Sequence, residues 1–158
     1  MQHTVGISEM RTSNCAEDVL VTYSLGSCVG LAVYDPIAVV GGLIHCMLPL
    51  SRIDPEKAKT NPSMFTDTGV PQLLQAVLKL GAQKGRLVAK VAGGSRLLDE
   101  NGTFKIGERN LVVLRKVLWK NNILIAGQDV GGTVARTMYL RMDSGQTTIK
   151  SCGREFEL

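Results

Sequence analysis

Aromatic residues are scarce in this chain: three Phe, three Tyr and one Trp make up 4% of its 158 residues. Dense Lys/Arg clusters are missing too, although the formal net charge is +4. Nucleic-acid binding draws on basic patches interleaved with aromatic rings, so it has little support. The positive balance favours acidic partners only in a general way. No apolar run approaches the roughly 20 residues of a membrane span, which argues against membrane insertion. Met1 to Arg11 lacks the apolar segment of a secretory signal. The expected location is therefore cytoplasmic.

The four cysteines, Cys15, Cys28, Cys46 and Cys152, form no Cys-x-x-Cys pair. Zinc-ribbon and thioredoxin-type sites thus have no local support, and a reducing cytoplasm argues against a disulfide framework. A metal site needs three or four ligands. His45 and Cys46 are adjacent on a strand and point to opposite faces, so no metal is expected. Gly93-Gly94 and Gly131-Gly132 follow apolar strands, yet match neither Gly-x-Gly-x-x-Gly nor the P-loop. Tight turns or close backbone approach explain them better than nucleotide binding.

What is present suits one domain, residues 1–158, with a real core. Thr4 to Ser8 reads as a short strand, Arg11 to Asp18 as a polar loop, and Val19 to Leu25 as a strand with Leu20, Thr22 and Ser24 on one face. Leu50 to Phe65 has no periodicity and borders whatever lies at residue 45; a solvated connector is an equal reading. Helical spacing covers Asp67 to Ala82, with Asp67 or Thr68 as cap and Pro71 in the first turn. A strand follows at Arg86 to Ala92, a helix from Gly107 to Lys120, and a strand at Ile123 to Val130. Val134 to Met142 and Gln146 to Cys152 form a closing hairpin around Asp143-Ser144-Gly145. The expected class is α+β with one or two mixed sheets.

The stretch from Leu25 to Pro49 carries the chemistry. Asp35-Pro36 separates two apolar runs, the mark of a β-hairpin. With a loop of Asp35 to Ala38, Tyr34 faces Val39 and Cys28 faces His45, about 4.5–5.5 Å apart at Cβ. Val29, Leu31 and Val33 then form a core face. Cys28, Gly30, Ala32 and His45 form an open one with room for a substrate. A thiol beside an imidazole supports nucleophilic attack on a carbonyl. Thr22 is a candidate to orient the ring, and backbone N–H groups at Ser27 and Cys28 are candidates to hold an oxyanion. The same residues also read as a small buried hydrophobe and a core histidine.

Seven segments together resemble the CheD family of chemoreceptor glutamine deamidases. They are LGSCVG at 25–30, DP at 35–36, H-x-MLP at 45–49, TDTGVPQL at 66–73, AKVAGGS at 89–95, IGERN at 106–110 and DVGGTVAR at 129–136. The resemblance covers nearly the whole chain; Ser51 to Ser63 carries no motif of the family. It implies a mixed β-sandwich flanked by helices, similar to deamidases of the cytotoxic necrotizing factor type. Cys28, His45 and Thr22 fall on the catalytic positions. The implied substrate is a glutamine side chain on the helical cytoplasmic bundle of a chemoreceptor, converted to glutamate without metal or organic cofactor. The implied second partner is CheC, a phosphatase whose activity such proteins raise. A mainly non-catalytic adaptor of CheC and the receptors is the alternative.

Overall fold

The structure, a computed structural model, describes residues 1–96 and 105–158. The chain forms two five-stranded mixed sheets. The first joins β1 (Gln2–Thr4), β3 (Val19–Leu25), β8 (Arg136–Arg141), β9 (Thr147–Ser151) and β10 (Arg154–Glu157), in that spatial order. The second has the order β2 (Met10–Ser13), β5 (Val40–Cys46), β4 (Val29–Asp35), β6 (Val88–Gly93), β7 (Ile125–Val130). Each sheet has one parallel pair, β1 with β3 and β6 with β7.

Besides three short 3-10 turns, the described elements include three α-helices: α1 (Pro55–Thr60), α2 (Thr66–Lys79) and α3 (Ile106–Lys120). Their amphipathic spacing places them. Val70, Leu73, Leu74 and Val77 of α2, and Leu111, Leu114 and Leu118 of α3, pack on Val29, Leu31, Ile44 and Cys46 of the second sheet. Leu20, Leu25, Met138, Leu140 and Ile149 of the first sheet close on Ala32, Leu43 and Ala92 of the second. The layers thus run helices, sheet, sheet. Every residue of β4 and β5 is buried, because these two strands have an apolar layer on each side.

Several expectations shift. The polar stretch at Arg11 contains edge strand β2 rather than only loop, and β10 adds a strand beyond the closing hairpin. The connector after residue 50 is built of short helical turns, Ser51–Ile53, α1 and Pro62–Met64. Helix α2 begins at Thr66, so Pro71 lies inside it rather than in its first turn. Asp67 is not its cap. The Asp67 carboxylate instead accepts from the Ser51 N–H at 2.8 Å and the Ser51 hydroxyl at 2.9 Å, tying the connector to the helix. In β3, a bulge between Thr22 and Leu25 places Ser24 at φ 60°. Leu25, not Ser24, therefore joins Leu20 on the inner face.

The hairpin register also differs. Asp35 stays in the strand and pairs with Val40, leaving residues 36–39 as the loop. The cause is the Asp35 side chain, which accepts from the Ile37 and Ala38 N–H groups while its carbonyl accepts from Val39. Moving a loop by one residue moves the pairing by two. His45 thus faces Gly30 rather than Cys28. A two-residue shift preserves which side chains share a face, so Cys28, Gly30, Ala32 and His45 remain together.

Candidate active site

The expected open face is closed. A Cβ on Gly30 would lie 2.9 Å from Leu25 and 3.0 Å from Met138, so the first sheet fills the space that the small residues leave. His45 is fully buried between the sheets. Its main chain is held by the N-terminal segment: its N–H donates to the Glu9 carbonyl at 3.0 Å, and its carbonyl accepts from Ser8 at 2.9 Å.

The imidazole meets Thr22 across the sandwich. Thr22 Oγ1 lies 2.6 Å from His45 Nδ1 and 2.7 Å from the Val5 carbonyl oxygen. A hydroxyl has one proton, and a carbonyl can only accept. The Thr22 proton therefore goes to Val5, and His45 Nδ1 carries the ring proton and donates to Thr22. Nε2 is left with a lone pair. That atom is buried and has no hydrogen-bond partner among the described residues. Leaving such an atom unmatched costs about 1–3 kcal/mol. Burial also pushes the imidazole pKa down from 6.5 to about 4, so the ring is neutral at pH 7.

Cys28 immediately precedes β4 and is half-buried. It sits one diagonal step from His45, two residues before the glycine that the histidine faces; such neighbours are about 7–8 Å apart at Cα, within reach of longer side chains. Burial raises the Cys28 thiol pKa, and its own backbone N–H offsets part of that rise. The free pair is thus a neutral thiol and a neutral imidazole. Cys46 lies on the opposite face in the helix-side core, its thiol pushed far up by full burial.

The loop holding Cys28 is fixed from two sides. The Cys28 carbonyl accepts from Gly94 at 2.9 Å and the Gly26 carbonyl from Ser95 at 2.8 Å. Gly93 runs at φ 100°, and a Cβ there would collide with the Cys28 carbonyl, so this approach requires glycine. From the other side, buried Asn110 donates to the Ser27 carbonyl at 3.0 Å and the Met47 carbonyl at 3.2 Å, while Thr66 Oγ1 donates to Asn110 Oδ1 at 3.1 Å. The N–H groups of Ser27 and Cys28 donate to no backbone carbonyl of a described residue. Behind the loop, buried Arg136 donates to Asp129 and to Ser95, both at 2.8 Å.

Asn110, Ser95 and Arg136 were not singled out as functional residues. The only signal for them was their place in three of the quoted segments. The residues expected to act together fall into two groups here. Thr22 and His45 are in contact, and Cys28 and Ser27 lie beside them on a separately braced loop. Among the described residues, no group of His, Cys, Asp and Glu is arranged to hold a metal ion. No described helix is long and apolar enough to cross a membrane.

Fold and site together define a three-layer α+β protein. A buried Thr–His pair lies between its sheets, and a half-buried cysteine sits at one end. Residues 47–151 match the family model described as CheD chemotactic sensory transduction. That span starts just after His45, but similarity to whole relatives extends across the earlier strands. A Syntrophus aciditrophicus protein named "Probable chemoreceptor glutamine deamidase CheD 1" is 51% identical over 149 residues, 94% of this chain and 93% of its own length. A Solibacter usitatus protein named "Probable chemoreceptor glutamine deamidase CheD" is 48% identical over 157 residues, 99% of this chain and 93% of its own. A Pyrococcus abyssi protein of the same name is 39% identical over 148 residues, 92% of this chain and 89% of its own. The chain belongs to the CheD family.

Proposed function

We propose that this protein is a chemoreceptor glutamine deamidase, a protein-glutamine glutaminase of one domain, 1–158, that acts in the cytoplasm through a cysteine nucleophile. The observation that carries the reading is the buried Nε2 of His45, unpartnered among the described residues, whose lone pair the Val5–Thr22–Nδ1 chain keeps free. The names of the relatives supply the substrate class.

In this reading the Cys28 sulfur attacks the carbon of a glutamine carboxamide, and the thiol proton passes to His45 Nε2. The carbonyl oxygen becomes an oxyanion, for which the uncommitted N–H groups of Ser27 and Cys28 are the donors at hand. His45 returns its proton to the nitrogen as the C–N bond breaks, releasing ammonia and leaving a thioester. Water, deprotonated by His45, attacks the thioester; the C–S bond breaks, and the sulfur recovers the proton. The product is glutamate, a new negative charge on the receptor's helical bundle. Thr22 touches no substrate. It is a positioning residue that acts through the imidazole.

The test is mass spectrometry of a purified receptor cytoplasmic fragment before and after incubation. Amide-to-acid conversion at specific glutamines is expected with wild type and not with Cys28→Ala. An unchanged fragment, or equal conversion by a folded Cys28→Ala protein, overturns the proposal. The same reading carries CheC as second partner. CheC stimulation that survives Cys28→Ala would show adaptor and enzyme roles to be separable.

A further inference from the structure

The parallel course of α2 and α3 divides the molecule into two ends. Thr66 and Asn110, near the helix starts, lie against the Ser27–Cys28 loop. The C-terminal ends therefore point the other way, together with the hairpin loop at residues 36–39. Asn110 and Trp119 are nine residues apart on one helix, about 14 Å along its axis. The remote end is also continuous. Lys84 donates to Asn121 at 3.1 Å, and Asp35, below the hairpin loop, binds the Gln83 N–H and the Arg86 guanidinium.

This end shows the combination that an internal face does not need. Trp119 is 76% exposed, Leu124 85% and Ile37 71%. Trp119 and Leu124 flank a groove of about 360 Å³ floored by Leu118, Ile123 and Ile125. Arg115 lines it, Lys116 and Lys120 belong to the same last turns of α3, and Lys84 reaches Asn121 beside it; these and Lys79, at the end of α2, are all exposed. The sequence has no Asp or Glu from Thr68 to Arg96 or from Arg109 to Gln128. Among the described side chains, the carboxylate placed at this end, Asp35, is fully buried and already paired. A second copy of this chain would bring like charge against like charge, which disfavours that occupant. An apolar groove with an aromatic anchor, ringed by uncompensated lysines, complements a segment with apolar residues on one side and carboxylates on the other.

We propose that the end of the molecule remote from Cys28, formed by the last turn of α3, residues 122–125 and the neighbouring lysines, docks an acidic amphipathic helix of a partner protein. The surface is separate from the candidate active site, and the proposal does not depend on the deamidase reading.

Trp119 is the chain's single tryptophan, so its emission reports on the groove directly. The probe is a synthetic peptide of about 15–20 residues, with Leu at helical spacing on one face and Glu on the other. Its controls are a scrambled peptide of identical composition and anionic phosphatidylglycerol vesicles. The ordered peptide should shift Trp119 emission to the blue saturably and lose most of its affinity at about 0.5 M salt. It should bind the Lys116→Glu/Lys120→Glu variant about tenfold more weakly, and Cys28→Ala as well as wild type. Both lysines are exposed, and circular dichroism checks that the variant is folded. No saturable shift, equal binding of the scrambled peptide, or affinity indifferent to the double charge reversal overturns the proposal. A shift with vesicles but not with the ordered peptide overturns it in favour of a membrane surface.

Discussion

Replacing Thr22 with Val keeps the side-chain shape and removes one oxygen. Thr22 is fully buried, donates at 2.7 Å to Val5 and accepts at 2.6 Å from His45. In the variant the Val5 carbonyl and the Nδ1 proton both face a methyl group, each at a cost of about 1–3 kcal/mol. With no acceptor left at Nδ1, nothing holds the ring in its orientation or its proton on Nδ1, and the Nε2–H tautomer becomes populated. That abolishes the lone pair the proposed chemistry uses. Losing a hold of this size on ring orientation and tautomer together corresponds to up to roughly 10–100-fold in rate, since each 1.4 kcal/mol is tenfold. The expected result is a loss of that order in kcat with KM nearly unchanged, because Thr22 is inaccessible to substrate. Thr22→Ser restores the hydroxyl and should recover most of the rate. Removing the proposed nucleophile with Cys28→Ala should cost more, about 10³-fold or beyond. Steady-state kinetics on a receptor fragment measures the rates, and nitrogen NMR of the His45 ring reads the tautomer. A Thr22→Val rate within about twofold of wild type is below 0.5 kcal/mol and refutes the reasoning. So does a Thr22→Ser protein as slow as the Val variant, or an unchanged Nδ1–H tautomer in the Val variant.

The depressed His45 pKa has two consequences for pH. The base stays neutral far into acid, so kcat/KM should hold its plateau towards pH 4; a midpoint near 6.5 would indicate a solvated ring. The unfolded chain takes up the histidine proton first, so stability present above pH 6.5 is lost as pH falls towards 4. The loss is about 3 kcal/mol, read as a pH-dependent gap between the urea midpoints of wild type and His45→Gln. Asn110→Ala strips the Ser27 and Met47 carbonyls of their donor and should cost about 2–4 kcal/mol of stability along with most turnover; an unchanged urea midpoint would count against the brace. Cys15 and Cys152 are exposed and should take a thiol alkylator first. In a Cys15→Ser/Cys152→Ser background, peptide mapping should find Cys28 labelled, Cys46 untouched, and activity falling in step with the Cys28 label. Equal labelling of Cys28 and Cys46 would contradict the placement of these thiols on opposite faces.

The sequence revealed elements more readily than their neighbours. Alternation and helical spacing located β3, β4, β5, α2 and α3 to within a few residues, because each buries a face whose period the side chains must obey. Edge strands β2 and β10 have no such obligation. Met10–Ser13 and Arg154–Glu157 are half-exposed and polar, and their pairing is set by backbone bonds that leave no periodic trace. The hairpin register was missed by two because the deciding contact is a side chain curling back on its own turn. Nothing in the order Asp-Pro-Ile-Ala says whether Asp35 belongs to the loop or the strand. The first sheet's closure over Gly30 was equally hidden. A run of small residues looks the same whether it makes room for a substrate or for Leu25 and Met138.

The candidate site shows why its members were legible one by one but not as an assembly. Thr22 comes from one sheet, His45 from the other, and the carbonyl that fixes their proton from Val5, just beyond β1. Asn110 crosses from α3 to hold the Ser27 carbonyl, 83 positions away in sequence. The sandwich buries the imidazole and leaves the cysteine at its lip, and this one arrangement moves both pKa values, the thiol up and the imidazole down. Both shifts favour the neutral pair. In the proposed mechanism, proton transfer from Cys28 to His45 then has to be driven by the arriving carbonyl, whose developing oxyanion can engage the N–H groups of Ser27 and Cys28. A resting thiolate would attack any electrophile that reached it. On that proposal, a neutral thiol that ionises only against a seated amide reserves its reactivity for a side chain that can enter between the two braced segments.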